Sequence, residues 1–324
     1  MARPLLLCAL MLCGAAGAQA AGLCQATADV PPPPRALAMA QAAEREHLAW
    51  GQQTLDAHGR LTQAGAYEAE DSPRGLFTPP PWQRVMGYWQ AVDPAQRLPS
   101  LVRFGALWPA DRGLLLQAVE LASAARLHGL GAGHDQGLTS AEQSAIAAAL
   151  DRVAVVDTPW SAAFVSWLAR EAGLATHEFT FSEAHADYAA AAWTAGQQEA
   201  AGTATPYALR ACDLLRTPPR VGDLVCQARG RAAGLDSFEA LGAQLAERNV
   251  GIGESLPMHC DVVVQVDAGG FEAVGGNVLQ SVTRRRLDFA PGTRLLDPSY
   301  LPSAPAGIER HMSRQPWSLL LQWR

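Results

Sequence analysis

The apolar pattern of the chain changes once, at Pro218-Pro219. Before this point apolar residues recur at helical spacing, and after it they form short continuous or alternating segments typical of strands. Helices followed by strands joined through short turns favour an α+β fold over alternating βαβ units. With 324 residues, 49% of them hydrophobic, the chain is long enough to bury a sizeable core. We therefore expect N-terminal helices packed on an antiparallel sheet.

The pattern places the individual elements as follows. Helices are predicted at Ala36–Trp50, Trp82–Val92, Gly113–Leu130 and Ala141–Val153, from Pro159 to about Gly173, and from Ser182 to about Gln197. Strands are predicted at Val221–Cys226, His259–Val266, Phe271–Val278, Ser281–Leu287 and Trp317–Trp323. The long connection over residues 230–258 contains a short helix near Phe238–Glu247, and residues 51–82 and 93–112 are predicted to be irregular.

The first 20 residues have the features of a secretory signal peptide. Arg3 supplies a positive start, Leu5–Leu12 an apolar segment, and Ala18-Gln19-Ala20 a small-residue cleavage site. No later apolar run reaches the roughly 18–20 residues that span a bilayer. We expect a periplasmic or secreted protein without a membrane span after signal removal. Residues 21–110 are predicted to be an accessory segment, and residues 111–324 the main domain.

Cysteine count and charge exclude several classes of protein. Signal removal leaves Cys24, Cys212, Cys226 and Cys260, and an even number in an oxidising compartment permits disulfides. Three connectivities remain open, and the pair Cys226 and Cys260 is favoured because both lie in predicted strands. No C-x-x-C spacing indicates a zinc site, and we expect neither a metal nor a cofactor. A net charge of -6 without blocks of like charge argues against a nucleic-acid partner.

One predicted helix start presents a small polar side chain. Thr158 is a good N-cap, and Pro159 fits the first helical position because its missing N–H costs nothing there. Ser161 then falls in the first turn, among unpaired backbone N–H groups and the positive end of the helix dipole. Such a position suits a nucleophile, and two alanines follow Ser161.

A predicted hairpin supplies a histidine and an amide. Asp267-Ala268-Gly269-Gly270 is a turn signal between two apolar strands. If the turn centres near Ala268 or Gly269, His259 falls opposite Asn277 or its immediate neighbour. Asn277 follows Gly275-Gly276, where the backbone can approach a site closely. The amide is thus placed to orient the imidazole, although an asparagine after two glycines also suits a left-handed turn.

Four segments in this order resemble a known group of proteins. The segments are Trp160–Trp167, Gly222–Val225, His259–Val263 and Gly275–Val278. Their order is similar to that in CHAP and NlpC/P60 proteins, papain-like amidases and endopeptidases that cut peptidoglycan peptides. The chain most closely resembles the DUF2272 family of uncharacterised exported bacterial proteins. The resemblance covers roughly residues 150–290, and more weakly the helix at residues 36–51.

The resemblance implies a papain-like core and a catalytic triad. Carried over by position, the nucleophile is Ser161, the general base His259 and the orienting residue Asn277. The family uses a cysteine where this chain has Ser161, and a hydroxyl needs the base to take its proton during attack. The expected function is hydrolysis of an amide or ester in a cell-wall peptide. The alternatives are an inactive module that binds peptidoglycan or a peptide, and a structural envelope protein.

Several further residues are candidates for the cleft, each with a simpler structural alternative. His185 is either a cleft residue or a solvated first-turn residue, and Trp160 is either at the cleft rim or in the core. Asp223 and Asp261 are cleft candidates beside the Gly222 and His259 segments, and a turn-stabilising role is favoured for Asp223. The run Arg284-Arg285-Arg286 is predicted to be a solvated strand surface.

Overall fold

The computed structural model describes residues 21–70, 79–92, 140–156, 158–249, 256–305 and 309–324, with single positions between 113 and 121. Contacts divide the chain into two compact units, one made of Met1–Ala66 and Ser161–Arg324 and the other of Tyr67–Trp160. The predicted signal peptide, the boundary near residue 110 and most of the predicted helix Gly113–Leu130 lie outside the described residues. None of the described helices is long and apolar enough to cross a membrane.

The described elements are, in chain order, α1 (Pro34–Ala49), β1 (Gln53–Leu55), β2 (Leu61–Gln63), α2 (Pro81–Val92), α3 (Ser140–Val155), α4 (Ser161–Glu171), α5 (His185–Ala200), β3 (Leu209–Asp213), β4 (Leu224–Ala228), α6 (Phe238–Asn249), β5 (Met258–Val266), β6 (Gly270–Val278), β7 (Ser281–Asp288) and β8 (Trp317–Trp323). Short 3₁₀ turns occupy Gly230–Ala232, Pro298–Tyr300 and His311–Ser313. The expected combination of helices with a sheet is confirmed, and the limits of β8 agree with the prediction.

A single sheet of eight strands forms the centre of the first unit, in the order β2-β1-β7-β6-β5-β4-β8-β3. Neighbouring strands are antiparallel except for β1 and β7, which run parallel. The sequence pattern missed β1, β2 and β3. β1 and β2 have three residues each in a stretch predicted as loop, and only pairing with a distant strand makes them part of a sheet.

Packing against strands and other helices determines where α4 and α5 begin. α4 packs against β5, β6 and α1, while α5 packs against β3, β5 and α6. β8 lies between β4 and β3, and all of its residues are buried. Both helices thus meet β5, which brings their first residues to the strand that carries His259.

Two disulfides link distant parts of the first unit. Cys24, in a helical stretch over residues 21–28, is bonded to Cys212 of β3 across 188 positions of sequence. Cys226 and Cys260 face each other in the β4–β5 ladder and form the bridge that the sequence favoured. Two such bonds are typical of proteins that fold in an oxidising compartment.

The Cys24–Cys212 bond should contribute strongly to stability, because it closes a long loop in the unfolded chain. Replacing both residues by Ser should lower the free energy of unfolding by about 2–5 kcal/mol, measured by urea denaturation. The same double replacement at Cys226 and Cys260, which are 34 positions apart, should cost less, because the loop is shorter. Equal losses for the two pairs would contradict the loop-length argument.

Candidate active site

Two helix starts bring a hydroxyl and an imidazole together. Ser161 and His185 are the first residues of α4 and α5, and Ser161 Oγ lies 2.7 Å from His185 Nε2. The second helix begins later than predicted because the Ser182 hydroxyl accepts the N–H of Ala184 in a local turn. Both site side chains are buried. The cleft candidate His185 is therefore the direct partner of Ser161.

Tyr188 is the second hydrogen-bond partner of the His185 ring. It lies one turn along α5, and its hydroxyl contacts His185 Nδ1. Burial raises the pKa of Tyr188 well above its usual value. Burial, together with the nearby His259 and Arg229, lowers the pKa of His185 well below 6.5. The ring of His185 is therefore neutral, and when the protonated Tyr188 hydroxyl donates to Nδ1, Nε2–H is the group that faces Ser161 Oγ.

His259 supplies a second imidazole with different partners. Its ring centre lies 5.2 Å from that of His185, and the rings are nearly edge-on. Nε2 lies 2.7 Å from Asp261 Oδ1, and a carboxylate can only accept, so Nε2 carries the proton. Nδ1 is buried and has no hydrogen-bond partner among the described residues. Its lone pair is therefore available to a proton donor that enters the site.

A buried cation supports the carboxylate. Arg285 Nε lies 2.8 Å from Asp261 Oδ2, and both side chains are almost fully buried. Burial alone would raise the pKa of Asp261, but Arg285 and His259 hold it below its usual value. Asp261 is therefore ionised when it accepts from His259. The arginine run is not uniformly solvated as expected, because alternation along β7 turns Arg285 inward.

Gly275 makes room for this carboxylate. A Cβ on Gly275 would lie 1.8 Å from Asp261 Oδ1 and 3.0 Å from His259 Nε2. No side chain therefore fits at this position while His259 and Asp261 remain bonded. The close backbone approach expected at Gly275-Gly276 is used to seat the His–Asp pair.

Asn277 does not have the orienting role that the sequence suggested. Its φ of 55° places it in the left-handed region, beside the irregularity in the β6–β7 pairing between Gly275 and Val278. One ring nitrogen of His259 is bonded to Asp261, and the other has no partner among the described residues. Asp261, a cleft candidate, is therefore the group that orients the imidazole.

Asp223 serves the fold at a different place. Its carboxylate accepts the backbone N–H groups of Arg220 and Trp323, each at 2.9 Å. Burial raises its pKa to about 6. These bonds tie the turn before β4 to the end of β8, as the turn-stabilising alternative expected.

Trp160 lies in the second unit with a fully buried side chain. Its indole N–H donates to Glu68, and its ring centre lies 5.5 Å from that of Tyr88. These contacts agree with the core alternative for this residue. Of the catalytic and cleft candidates, the structure brings Ser161, His185, His259 and Asp261 together.

Comparison with known proteins identifies the family. A family model described as "Uncharacterized protein conserved in bacteria (DUF2272)" matches residues 125–323. This range is more than half of the chain, and the protein belongs to the DUF2272 family. No curated protein and no solved structure matches it. Among the described residues, no group of three or more His, Cys, Asp or Glu side chains is placed to hold a metal ion.

Gly275→Ala should disrupt the His259–Asp261 pair. The new methyl group overlaps the carboxylate, and overpacking of this kind typically costs about 1–3 kcal/mol. The free energy of unfolding should fall accordingly, and the ring resonances of His259 should shift in NMR spectra. Gly196→Ala is a matched control in α5, because its Cβ would meet no atom closer than 3.6 Å. An unchanged His259 signal in Gly275→Ala would contradict the packing argument.

His185 should make stability depend on pH. Because the folded pKa lies below the unfolded value of about 6.5, the unfolded state binds a proton first as pH falls. The free energy of unfolding should therefore decrease below pH 6.5, by up to about 1.4 kcal/mol per pH unit for this group. The difference between wild type and His185→Gln should shrink between pH 6.5 and pH 5 in urea titrations. His177→Gln, at an exposed position, is the control, and a constant difference for His185→Gln would contradict the assignment.

Proposed function

We propose that this protein is a papain-like hydrolase in which Ser161 attacks the carbonyl carbon of an amide or ester. The observation that carries the proposal is the contact of 2.7 Å between Ser161 Oγ and an imidazole, beside a second imidazole bonded to a buried carboxylate. A nucleophile, a base and a group that orients the base are the parts of a catalytic triad. Here these parts are Ser161, His259 and Asp261.

His259 is the general base in this proposal. Asp261 holds the proton on Nε2, which leaves the Nδ1 lone pair directed away from the carboxylate and without a partner among the described residues. The matching lone pair of His185 is used by Tyr188. Of the two imidazoles, His259 therefore has the nitrogen available to accept the Ser161 proton when a substrate is bound.

His185 stabilises charge on the nucleophile and holds it in place. Its Nε2–H donates to Ser161 Oγ, a bond that strengthens as the oxygen loses its proton. The first-turn N–H groups of α4 have no partners within the helix and form a ready oxyanion hole. The buried surroundings increase the effect of both interactions.

The reaction then follows the sequence of a serine hydrolase. Ser161 Oγ forms a bond to the carbonyl carbon as its proton passes to His259, and the carbonyl oxygen becomes an oxyanion. Collapse of this intermediate breaks the bond to the leaving amine or alcohol, which takes the proton from His259. A water molecule attacks the resulting ester of Ser161 in the same way and releases the acid.

The substrate class comes from the resemblance of the chain to CHAP and NlpC/P60 proteins, and the location comes from the signal-peptide features of residues 1–20. Those proteins cut peptidoglycan peptides, and we propose a cell-wall peptide as the substrate of this one. Removal of residues 1–20 during export places the protein in the periplasm or outside the cell, where the two disulfides are expected to persist.

A second candidate is a module that binds such peptides without cleaving them. The observation that favours it is the position of Ser161, whose side chain is almost fully buried and already bonded to His185. A thiolate would be a stronger nucleophile in this place, since a hydroxyl is not ionised by its surroundings.

An active Ser161 should react with an alkyl fluorophosphonate, which traps serine nucleophiles covalently. We expect the intact mass of the wild type to increase by one adduct, and that of Ser161→Ala to stay unchanged. His259→Gln and Asp261→Asn should slow labelling by roughly 10²–10⁴-fold. Ser166→Ala is the matched control, because Ser166 is also buried in α4 and hydrogen-bonded. If the wild type is not labelled, the proposal that the protein is a serine hydrolase is overturned.

A muropeptide digest, read by mass spectrometry, tests the substrate class. Cleavage by the wild type that is lost in Ser161→Ala would support the proposed substrate. Cleavage by Ser161→Cys alone would support the binding module, since the site would then be intact but lack a nucleophile. If none of the three proteins cleaves the digest, cell-wall peptides are rejected as the substrate class.

A further inference from the structure

Two polar side chains at the end of β4 face the same side of the sheet as His259. Gln227 is paired directly with His259 in the antiparallel β4–β5 ladder, so their side chains lie on one face. Arg229 follows two residues later in extended backbone, with φ -142° and ψ 170°, and its N–H donates to the Pro257 carbonyl at 3.0 Å. Because side chains alternate along a strand, Arg229 projects to the same side.

The amide of Gln227 has unused hydrogen-bonding capacity. The side chain is 5% exposed, and its Oε1 has no hydrogen-bond partner among the residues that the structure describes. Buried amide oxygens are almost always bonded. A buried acceptor next to the candidate base His259 therefore indicates a donor that arrives with a ligand.

Arg229 is a cation without a counter-charge in the described part of the chain. No hydrogen bond or ion pair involves its guanidinium there, whereas Arg285 is paired with Asp261. Its backbone follows β4 in extended conformation, two residues after the Gln227–His259 pair, and its charge contributes to the lowered pKa of His185. His185 is neutral and Asp261 is already compensated, so the positive charge of Arg229 is left to attract an anion.

We propose that Gln227 and Arg229 bind the C-terminal unit of a peptide, with Gln227 Oε1 accepting its last amide N–H and Arg229 binding its free carboxylate. In a peptide, the last amide N–H and the free carboxylate are separated by one Cα. Both groups can therefore be reached by two long side chains, an amide and a guanidinium, on the same face of a strand. Arginine matches a carboxylate with two parallel N–H donors. The placement beside Ser161 rests on the proposed function and makes the substrate a peptide cut near its free carboxyl end.

The test measures binding of two small peptides in the absence of the nucleophile. N-acetyl-dialanine, in its L,L and D,D forms, and the corresponding C-terminal amides are titrated into the full-length Ser161→Ala protein, and the histidine ring resonances are followed by NMR. We expect one carboxylate form to bind at least tenfold more tightly than its amide. Arg229→Gln should abolish that preference, whereas Gln227→Met should weaken both peptides equally, because both retain the N–H.

The control is Arg294→Gln, which removes the same charge from an exposed pair with Asp29 and should keep the preference. Equal binding of acid and amide, a preference that survives in Arg229→Gln, or no binding of any form at millimolar concentration would overturn the inference. The fluorophosphonate experiment gives an independent result. If the protein prefers the carboxylate peptide but Ser161 is not labelled, only the hydrolase proposal is rejected. If Ser161 is labelled but the carboxylate peptide is not preferred, only this inference is rejected.

Discussion

The buried carboxylate of Asp261 is the constraint on which the rest of the site depends. An ionised carboxylate away from water is strongly unfavourable unless it is paired and hydrogen-bonded. Arg285 of β7 and His259 of β5 supply these partners, and Gly275 of β6 leaves the space they need. Three adjacent strands are thereby locked in register around one charge. The same contacts fix the proton of His259 on Nε2, so that a structural requirement also determines the chemistry of the imidazole.

The two histidines differ because their surroundings differ. His185 lies at the start of α5, where burial favours its neutral form and the Tyr188 hydroxyl contacts its Nδ1. His259 is bonded to a carboxylate through Nε2 and keeps its Nδ1 lone pair. Different environments around two titratable groups are a common way to separate the roles of acid and base. In the proposed hydrolase, one ring donates to Ser161 Oγ and the other accepts its proton, which is the combination that a hydroxyl nucleophile requires.

Local signals predicted much of this arrangement, and long-range pairing explains what they missed. The turn at Asp267 formed as expected, with the Gly269 N–H bonded to the Asp267 carboxylate, and His259 lies on the first strand of the predicted hairpin. Tyr188, three residues after His185, could have been found from helical spacing. Arg285 could not, because its inward direction depends on the pairing of β7 with β6. The sequence did not show that Asn277 adopts a left-handed backbone conformation. It therefore did not show that Asp261, and not Asn277, is bonded to His259.

A serine at the start of α4 is compatible with the two disulfides of the first unit. All four cysteines of residues 21–324 are used in disulfides, one of which joins the strands on which Gln227 and His259 lie. A free thiolate in an oxidising compartment could exchange with a disulfide or be oxidised, whereas a hydroxyl can do neither. In the proposed hydrolase, the lower nucleophilicity of a hydroxyl is offset by two imidazoles and by the N–H groups of a helix start. Under the proposed function and location, a serine supported in this way would act without the redox reactivity of a thiol.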